Sequence, residues 1–236
     1  MIGVFVTNLG RYVEGALCGE WMTLPATTED VQALLARIGV DGVMYEEIFI
    51  TDYNCEIAGL TSPFGEYESL DELCYLADLL DGLDKNDLEK FEAAVADGEY
   101  TGSVGDLINL AQNLDNYDFY PGICTEEDLG RYLIDEVGTL KIPEKIEMYF
   151  DYEAYGRDMA IDMNGTFTDN GYVKNHPGGF IEHYSGRDDL PDEHKIFAYP
   201  EPETSIQKTL ATYQQRIAEM PVSTNTVGIP AHEERG

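Results

Sequence analysis

Basic residues are scarce in this sequence. It has 14 Lys and Arg against 46 Asp and Glu, which gives a formal net charge of −32 over 236 residues. An ordinary small domain carries a net charge of about 2 to 8 in magnitude. The sign excludes direct binding to nucleic acid or to anionic lipid, because both are themselves negative. The charge implies a cationic partner instead: a metal ion, a basic protein surface, or the nucleic-acid groove of another protein.

Closely spaced cysteines and long apolar runs are also missing. The four cysteines are widely separated and form no C-x-x-C pair, and the first residues do not resemble a signal peptide. We therefore expect reduced thiols in a cytoplasmic protein. No apolar run approaches the roughly 18 residues that cross a bilayer, so no membrane association is expected.

Catalytic motifs are absent as well. No H-E-x-x-H, Walker-type loop, G-x-S-x-G or G-x-G-x-x-G occurs. The acidic stretch 81–92 fails as a calcium loop, because Glu89 stands sixth from Asp84, where a glycine is needed. We expect no enzyme activity, no cofactor and no metal. A hydrolase with a carboxylate pair stays open, since the fold and not the sequence sets the spacing of such a pair.

The apolar residues that are present can build real cores, since they make up 43% of the chain and include 16 Tyr and 9 Phe. Their pattern predicts an α+β fold. Strands are predicted at residues 2–7, 16–24 and 47–53, with a turn at 8–10. A helix that Thr28 caps and Gly39 stops is also predicted, with an apolar stripe formed by Val31, Leu34, Leu35 and Ile38.

Helices dominate after Pro63. They are predicted over 69–81 with Ser69 as the cap, over 86–97 and from Ser103. Further helices are predicted over 125–137, where residues 125–128 (TEED) resemble a capping box, at Pro143 and over 149–163. A hairpin is predicted around Asn170-Gly171. The predicted inner face of the helix over 69–81 is Leu70, Leu73, Leu76, Ala77 and Leu80. The predicted division is a β-rich domain (1–62), an acidic helical domain (63–102), an α+β domain (103–175) and a loop-rich extension (176–236) with one helix, 204–220.

The acidic residues follow the predicted helices. Residues 1–175 hold 36 acidic and 9 basic side chains. At 100° per residue, Asp71, Glu72 and Asp78 centre opposite the leucines of the helix over 69–81. Glu127, Asp128 and Asp135 lie opposite Leu129 and Leu133 in the helix over 125–137. Such carboxylates are roughly 5 to 10 Å apart, as phosphates along a DNA strand are.

Two explanations without a DNA-binding partner stay open. Acidic residues in a first helical turn favour the helix N-terminus, and a run of charges is commonly a solvated face. A salt-adapted surface would also explain why so few lysines lie between the acids.

The order of several segments resembles the ArdA antirestriction family. Residues 4–12 (VFVTNLGRY) and 15–21 (GALCGEW) are similar to its opening strand, G-[KR]-Y turn and G-x-W stretch. Residues 49–53 (FITDY), 149–158 (YFDYEAYGRD) and 171–173 (GYV) follow in the family's order. The resemblance covers about residues 2–175, and the extension departs from it.

The resemblance implies a DNA mimic with no catalytic residues. Family members are elongated, with three small α+β domains in a row, and pair into a curved homodimer whose acidic surface imitates bent duplex DNA. That surface occupies the DNA groove of type I restriction–modification enzymes, formed by the methyltransferase core and specificity subunit. An acidic decoy for another DNA-binding protein is the alternative. The acidic positions expected to meet the partner are Asp71, Glu72, Asp78, Asp84, Asp87, Glu89, Glu92, Glu127, Asp128 and Asp135.

Overall fold

The N-terminal part is a three-stranded antiparallel sheet. The computed structural model describes residues 2–176 and 178–201. Strand β1 (Ile2–Asn8) lies between β2 (Gly19–Leu24) and β3 (Ile48–Cys55). The three predicted strands are confirmed, although β2 begins three residues after the predicted start of its extended stretch. A short helix, α1 (Leu9–Val13), replaces the predicted turn, because the Asn8 side chain caps it by accepting the Arg11 backbone N–H.

Helix α2 (Thr28–Arg37) follows β2. Its cap is Thr27 and not the predicted Thr28: the Thr27 hydroxyl accepts the Asp30 backbone N–H, and Asp30 accepts the Thr27 backbone N–H in return. Both donors at the helix start are satisfied in this way. The predicted apolar stripe of α2 is confirmed, since its members are buried: Val31, Leu34, Leu35 and Ile38.

Three helices make up the middle of the chain: α3 (Leu70–Asp81), α4 (Lys85–Asp97) and α5 (Val104–Gln112). Ser69 and Ser103 cap α3 and α5 as predicted, and Gly98 ends α4 with a φ of +89°, which favours glycine. The predicted inward residues of α3 are buried: Leu70, Leu73, Leu76, Ala77 and Leu80.

A second antiparallel sheet lies further along the chain. Its order is β4 (Tyr117–Pro121), β6 (Gly171–Asn175), β5 (Thr166–Phe167). The predicted hairpin is confirmed as β5 and β6. The sequence did not predict β4, because it is only five residues long, ends in proline and pairs with β6, some fifty residues later.

The predicted helix over 125–137 is two pieces. Helix α6 (Glu126–Arg131) continues as one π-helical turn over Tyr132–Glu136. Helices α7 (Glu144–Glu147) and α8 (Tyr152–Met163) follow. None of the described helices is long and apolar enough to cross a membrane.

Two glycines let α6 and α8 meet backbone to backbone. A Cβ atom on Gly130 would collide with the Tyr152 carbonyl oxygen, and one on Gly156 would collide with the Glu126 carbonyl oxygen. This crossing positions the acidic outer faces of both helices.

Residues 181–199, named here the covering segment, pack against α3 and α5. Tyr184, Leu190 and Ile196 are buried in the same hydrophobic cluster as both helices. Asn109 and Asn113 of α5 bind its backbone: Asn109 accepts the N–H groups of His183 and Tyr184, and Asn113 accepts that of Ile181. The described residues after β6 hold two short 3-10 turns, Arg187–Asp189 and Asp192–His194. The predicted helix over 204–220 lies outside the described residues.

The apolar residues form two clusters. The larger runs from β1 and α2 through α3, α4 and α5 to Tyr117, Val173 and the covering segment, and the smaller is built on Leu129, Leu133 and Tyr172. Residues 1–200 form one compact unit. The larger cluster crosses the predicted boundaries at residues 62 and 102, and the division into three small domains stays a prediction.

We expect Gly130→Ala and Gly156→Ala each to lower the free energy of unfolding by about 1–3 kcal/mol or more, because each methyl group meets backbone that cannot turn away. Urea unfolding measures the loss. Gly105→Ala on α5 is the matched control, since its Cβ would be 3.6 Å from the nearest atom of Tyr184, an ordinary contact. Equal stability of all three variants would contradict the close crossing.

Candidate partner-binding acidic surface

Nearly all carboxylates of the described residues reach the surface. Asp71 is the one buried acidic residue among them, and the other buried polar side chains there are Thr7, Asn8, Asn109 and Asn113. Nine ion pairs join acidic to basic or histidine side chains in residues 2–176 and 178–201. With 46 acids in the chain, most of these carboxylates meet water and not a cation.

The prediction that Asp71 faces outward is wrong. Its side chain is 5% exposed, and it accepts hydrogen bonds from the Arg187 guanidinium at 3.0 Å and the Phe197 backbone N–H at 2.7 Å. The 100° periodicity identifies the side of α3 that packs on the nearest core. It does not reveal that the covering segment buries a second side of the same helix. Two hydrogen-bond donors and the helix N-terminus surround the Asp71 carboxyl group and offset the cost of burying it.

Glu72 and Asp78, its neighbours on α3, are also engaged by the covering segment. Glu72 is half-buried and accepts the Tyr184 hydroxyl at 2.5 Å. Burial, and the Glu72 carboxylate beside it, raise the pKa of Tyr184, so the phenol keeps its proton and remains a donor. Asp78 is exposed, with the His194 ring nitrogen at 3.6 Å. The three predicted carboxylates of α3 therefore lie together, but each contacts a residue of the chain itself.

On α4 the predicted acids have differing surroundings. Asp84 is exposed but caps the helix, where it accepts the N–H groups of Asn86 and Asp87. Glu89 lies 3.4 Å from Lys85, and Glu92 accepts the Asn170 amide of the β5–β6 turn at 2.8 Å. Asp87 is exposed and accepts no hydrogen bond from any described residue.

The predicted acids of α6 and its π-helical turn also differ in whether they bind another residue of the chain. Asp128 closes the predicted capping box with Thr125, and Glu127 pairs with Arg131 at 2.8 Å. Side chains of Glu127 and Arg131 are both 53% exposed, so water screens the pair and it contributes little to stability. Asp135 is exposed on the π-helical turn and is joined to no described residue by a hydrogen bond or ion pair.

Sequence reasoning missed a further row of acids after Asp135. Glu153, Asp158 and Asp162 lie exposed on α8, whereas Tyr152 and Gly156 on the same helix are buried. The 100° periodicity applied to residues 69–81 would have found Asp158 and Asp162 if it had been applied to 149–163. The remaining exposed acids of this region are Glu136, Glu144, Glu147 and Asp151.

Acidic side chains also line an open cleft between α3, α5 and the covering segment. The cleft has a volume of about 330 Å³, and Glu68, Glu72, Asp106 and Glu182 are among its lining residues. Among the described residues, no group of three or more His, Cys, Asp or Glu side chains is arranged to hold a metal ion.

Comparison with known families identifies the chain. The antirestriction protein family ArdA matches residues 4–174, which is most of the sequence. The chain belongs to the ArdA antirestriction family. Membership implies an antirestriction function and an interaction with restriction–modification enzymes. No curated protein matches the chain. The ArdA match ends in β6, so the covering segment lies beyond it.

We expect the stability of this ArdA-family protein to rise with salt, because ions screen the repulsion among exposed carboxylates. The thermal midpoint should rise by roughly 5 °C or more between low salt and half-molar sodium chloride.

The triple variant Glu136→Gln/Glu153→Gln/Asp162→Asn is the matched comparison, since it removes three exposed charges. Its midpoint should be higher at low salt and rise less as salt is added. A midpoint that falls with salt in the unaltered protein would show that attraction between opposite charges outweighs repulsion.

Proposed function

We propose that this protein presents its acidic surface to type I restriction–modification enzymes in place of duplex DNA, and so blocks their DNA-binding groove. The observation that carries the proposal is that every described acidic residue except Asp71 is exposed or partly exposed, in a chain with a net charge of −32. Family membership supports the same partner class. The groove that would take this surface is formed by the methyltransferase core and specificity subunit, and the protein acts as a homodimer.

The mechanism is competition without catalysis. Lysine and arginine side chains that bind phosphates in the groove meet carboxylates instead, and the summed field speeds the encounter. Each exposed pair is weak, so affinity comes from many pairs together and falls steeply as salt screens them.

Only some of the predicted acidic positions are exposed without a hydrogen bond or close contact to another part of the chain. Asp87 and Asp135 are exposed, and Glu127 is exposed with only a screened partner. We propose these three as contacts, with the newly found acids of α8 beside them. The remaining predicted positions bind within the chain, so altering them would disturb the fold as well as any partner contact.

Displacement of labelled duplex from a purified type I methyltransferase tests the proposal. A sequence-specific DNA-binding protein of another class, at matched DNA affinity, is the control. The protein should displace DNA from the methyltransferase at far lower concentration than from the control. Equal displacement from both would favour the alternative of an acidic decoy with a broader target, and no displacement from either would overturn the proposal.

We expect the triple variant Asp87→Asn/Glu127→Gln/Asp135→Asn to inhibit DNA binding several-fold less well than the unaltered protein. Each change removes one exposed charge that the target's cations would contact, and such exposed pairs contribute about 0.2–1 kcal/mol each. The inhibition constant in the displacement assay measures the effect.

A control variant with the same net charge distinguishes the effect of the positions of the charges from the effect of the net charge itself. Thr23→Lys/Ala36→Lys/Asn54→Lys raises the net charge by the same three units at exposed positions that carry no acid. It should inhibit nearly as well as the unaltered protein. Equal weakening of both variants would show that only overall charge matters, against the proposed contacts.

A further inference from the structure

The covering segment brings hydrogen-bond donors, a guanidinium group and a histidine ring to α3, one of the two helices for which the sequence predicted an outward acidic face. Arg187 and the Phe197 backbone N–H bind Asp71, the Tyr184 hydroxyl binds Glu72, and His194 lies beside Asp78. These are the kinds of group that a DNA-binding cleft would offer to phosphates. All of them come from the part of the chain beyond the ArdA match.

The covering segment is attached to the rest of the fold by buried apolar side chains and hydrogen bonds. Tyr184, Leu190 and Ile196 are 4%, 3% and 2% exposed within the larger hydrophobic cluster. Lifting the segment would return these side chains to water and leave Asp71 and the α5 asparagines without their partners. Each loss opposes opening, so the segment is a fixed layer of the fold and not a lid.

The far end of the segment is fixed to the N-terminal part. Gln32 of α2 donates its side-chain amide to the Tyr199 carbonyl at 2.9 Å, and the Tyr199 hydroxyl donates to the Glu46 carbonyl at 3.0 Å. One stretch of chain therefore ties α5 and α3 to residues near α2 and β3.

We infer that the covering segment is an intramolecular ligand of Asp71 and Glu72 on α3, which it withdraws permanently from partner binding. These two carboxylates then stabilise the fold, and the partner meets other carboxylates. The statement about partner binding rests on the proposed function; the statement about stability does not.

Arg187→Gln tests the inference against a matched control, Lys195→Gln. Both variants remove one cation from the same segment, but Lys195 pairs with exposed Asp192, 2.6 Å away and three residues earlier, whereas Arg187 pairs with buried Asp71. Loss of a partner from a buried carboxylate is far more costly than loss from an exposed one. We expect Arg187→Gln to lower the thermal midpoint by about 5 °C and Lys195→Gln by about 2 °C or less.

The double variant Asp71→Asn/Arg187→Gln identifies the cause. It carries no unpaired buried charge, and the new amide oxygen still accepts the Phe197 N–H. Its midpoint should therefore lie above that of Arg187→Gln alone, although two contacting residues have been changed. If the double variant instead lowers the midpoint by the sum of the losses measured for Asp71→Asn and Arg187→Gln alone, the intramolecular role of Asp71 is overturned.

Inhibition by the folded single variants tests the functional part. Arg187→Gln and Lys195→Gln should displace DNA from the type I methyltransferase with inhibition constants within about twofold of each other, since both carry the same net charge. If the partner bound this face of α3, loss of the cation that pairs with Asp71 would make Arg187→Gln several-fold stronger than its control, which would overturn the inference. Failure of the unaltered protein to inhibit would refute the proposed function, while the midpoints would still decide the role of the segment.

Discussion

An unpaired carboxylate cannot be buried without a large loss of solvation energy, and this constraint decides where the acids of this protein lie. With so few cations in the chain, almost every described acid has to stay at the surface. The exception follows the same rule, because Asp71 is buried only where Arg187, a backbone N–H and a helix N-terminus all meet it. The fold must then oppose the repulsion that such a surface creates. It does so with a continuous apolar cluster from the first sheet to the covering segment.

That arrangement connects stability with function. An ordinary protein would relieve the repulsion by placing lysines between the acids. The proposed function gives a reason why this chain does not, because a surface that takes the place of DNA has to keep its charges unpaired until the partner arrives. The close crossing of α6 and α8 serves this requirement, because Gly130 and Gly156 fix two acidic helices against each other through the backbone.

Much of the fold was predictable because it depends on local rules. Ser69, Ser103 and the Thr125–Asp128 capping box marked helix starts correctly, and the Asn170-Gly171 turn marked the hairpin. The failures that bear on the acidic surface involve distant residues. Strand β4 needs β6 to exist, and the crossing glycines are informative only once α8 is placed on α6. The burial of Asp71 depends on Arg187, more than a hundred residues later. For the same reason, helical phase separated inside from outside for the leucines of α3 but not for its acids.

The central claim is that exposed charge, and not shape alone, holds the protein on its target. The most direct measurement is the Kd of the complex with a type I methyltransferase, with no DNA present, over a series of salt concentrations. We expect log Kd to rise steeply and linearly with log salt concentration, with a smaller slope for the variant that lacks the Asp87, Glu127 and Asp135 charges. A Kd that does not change with salt would contradict it.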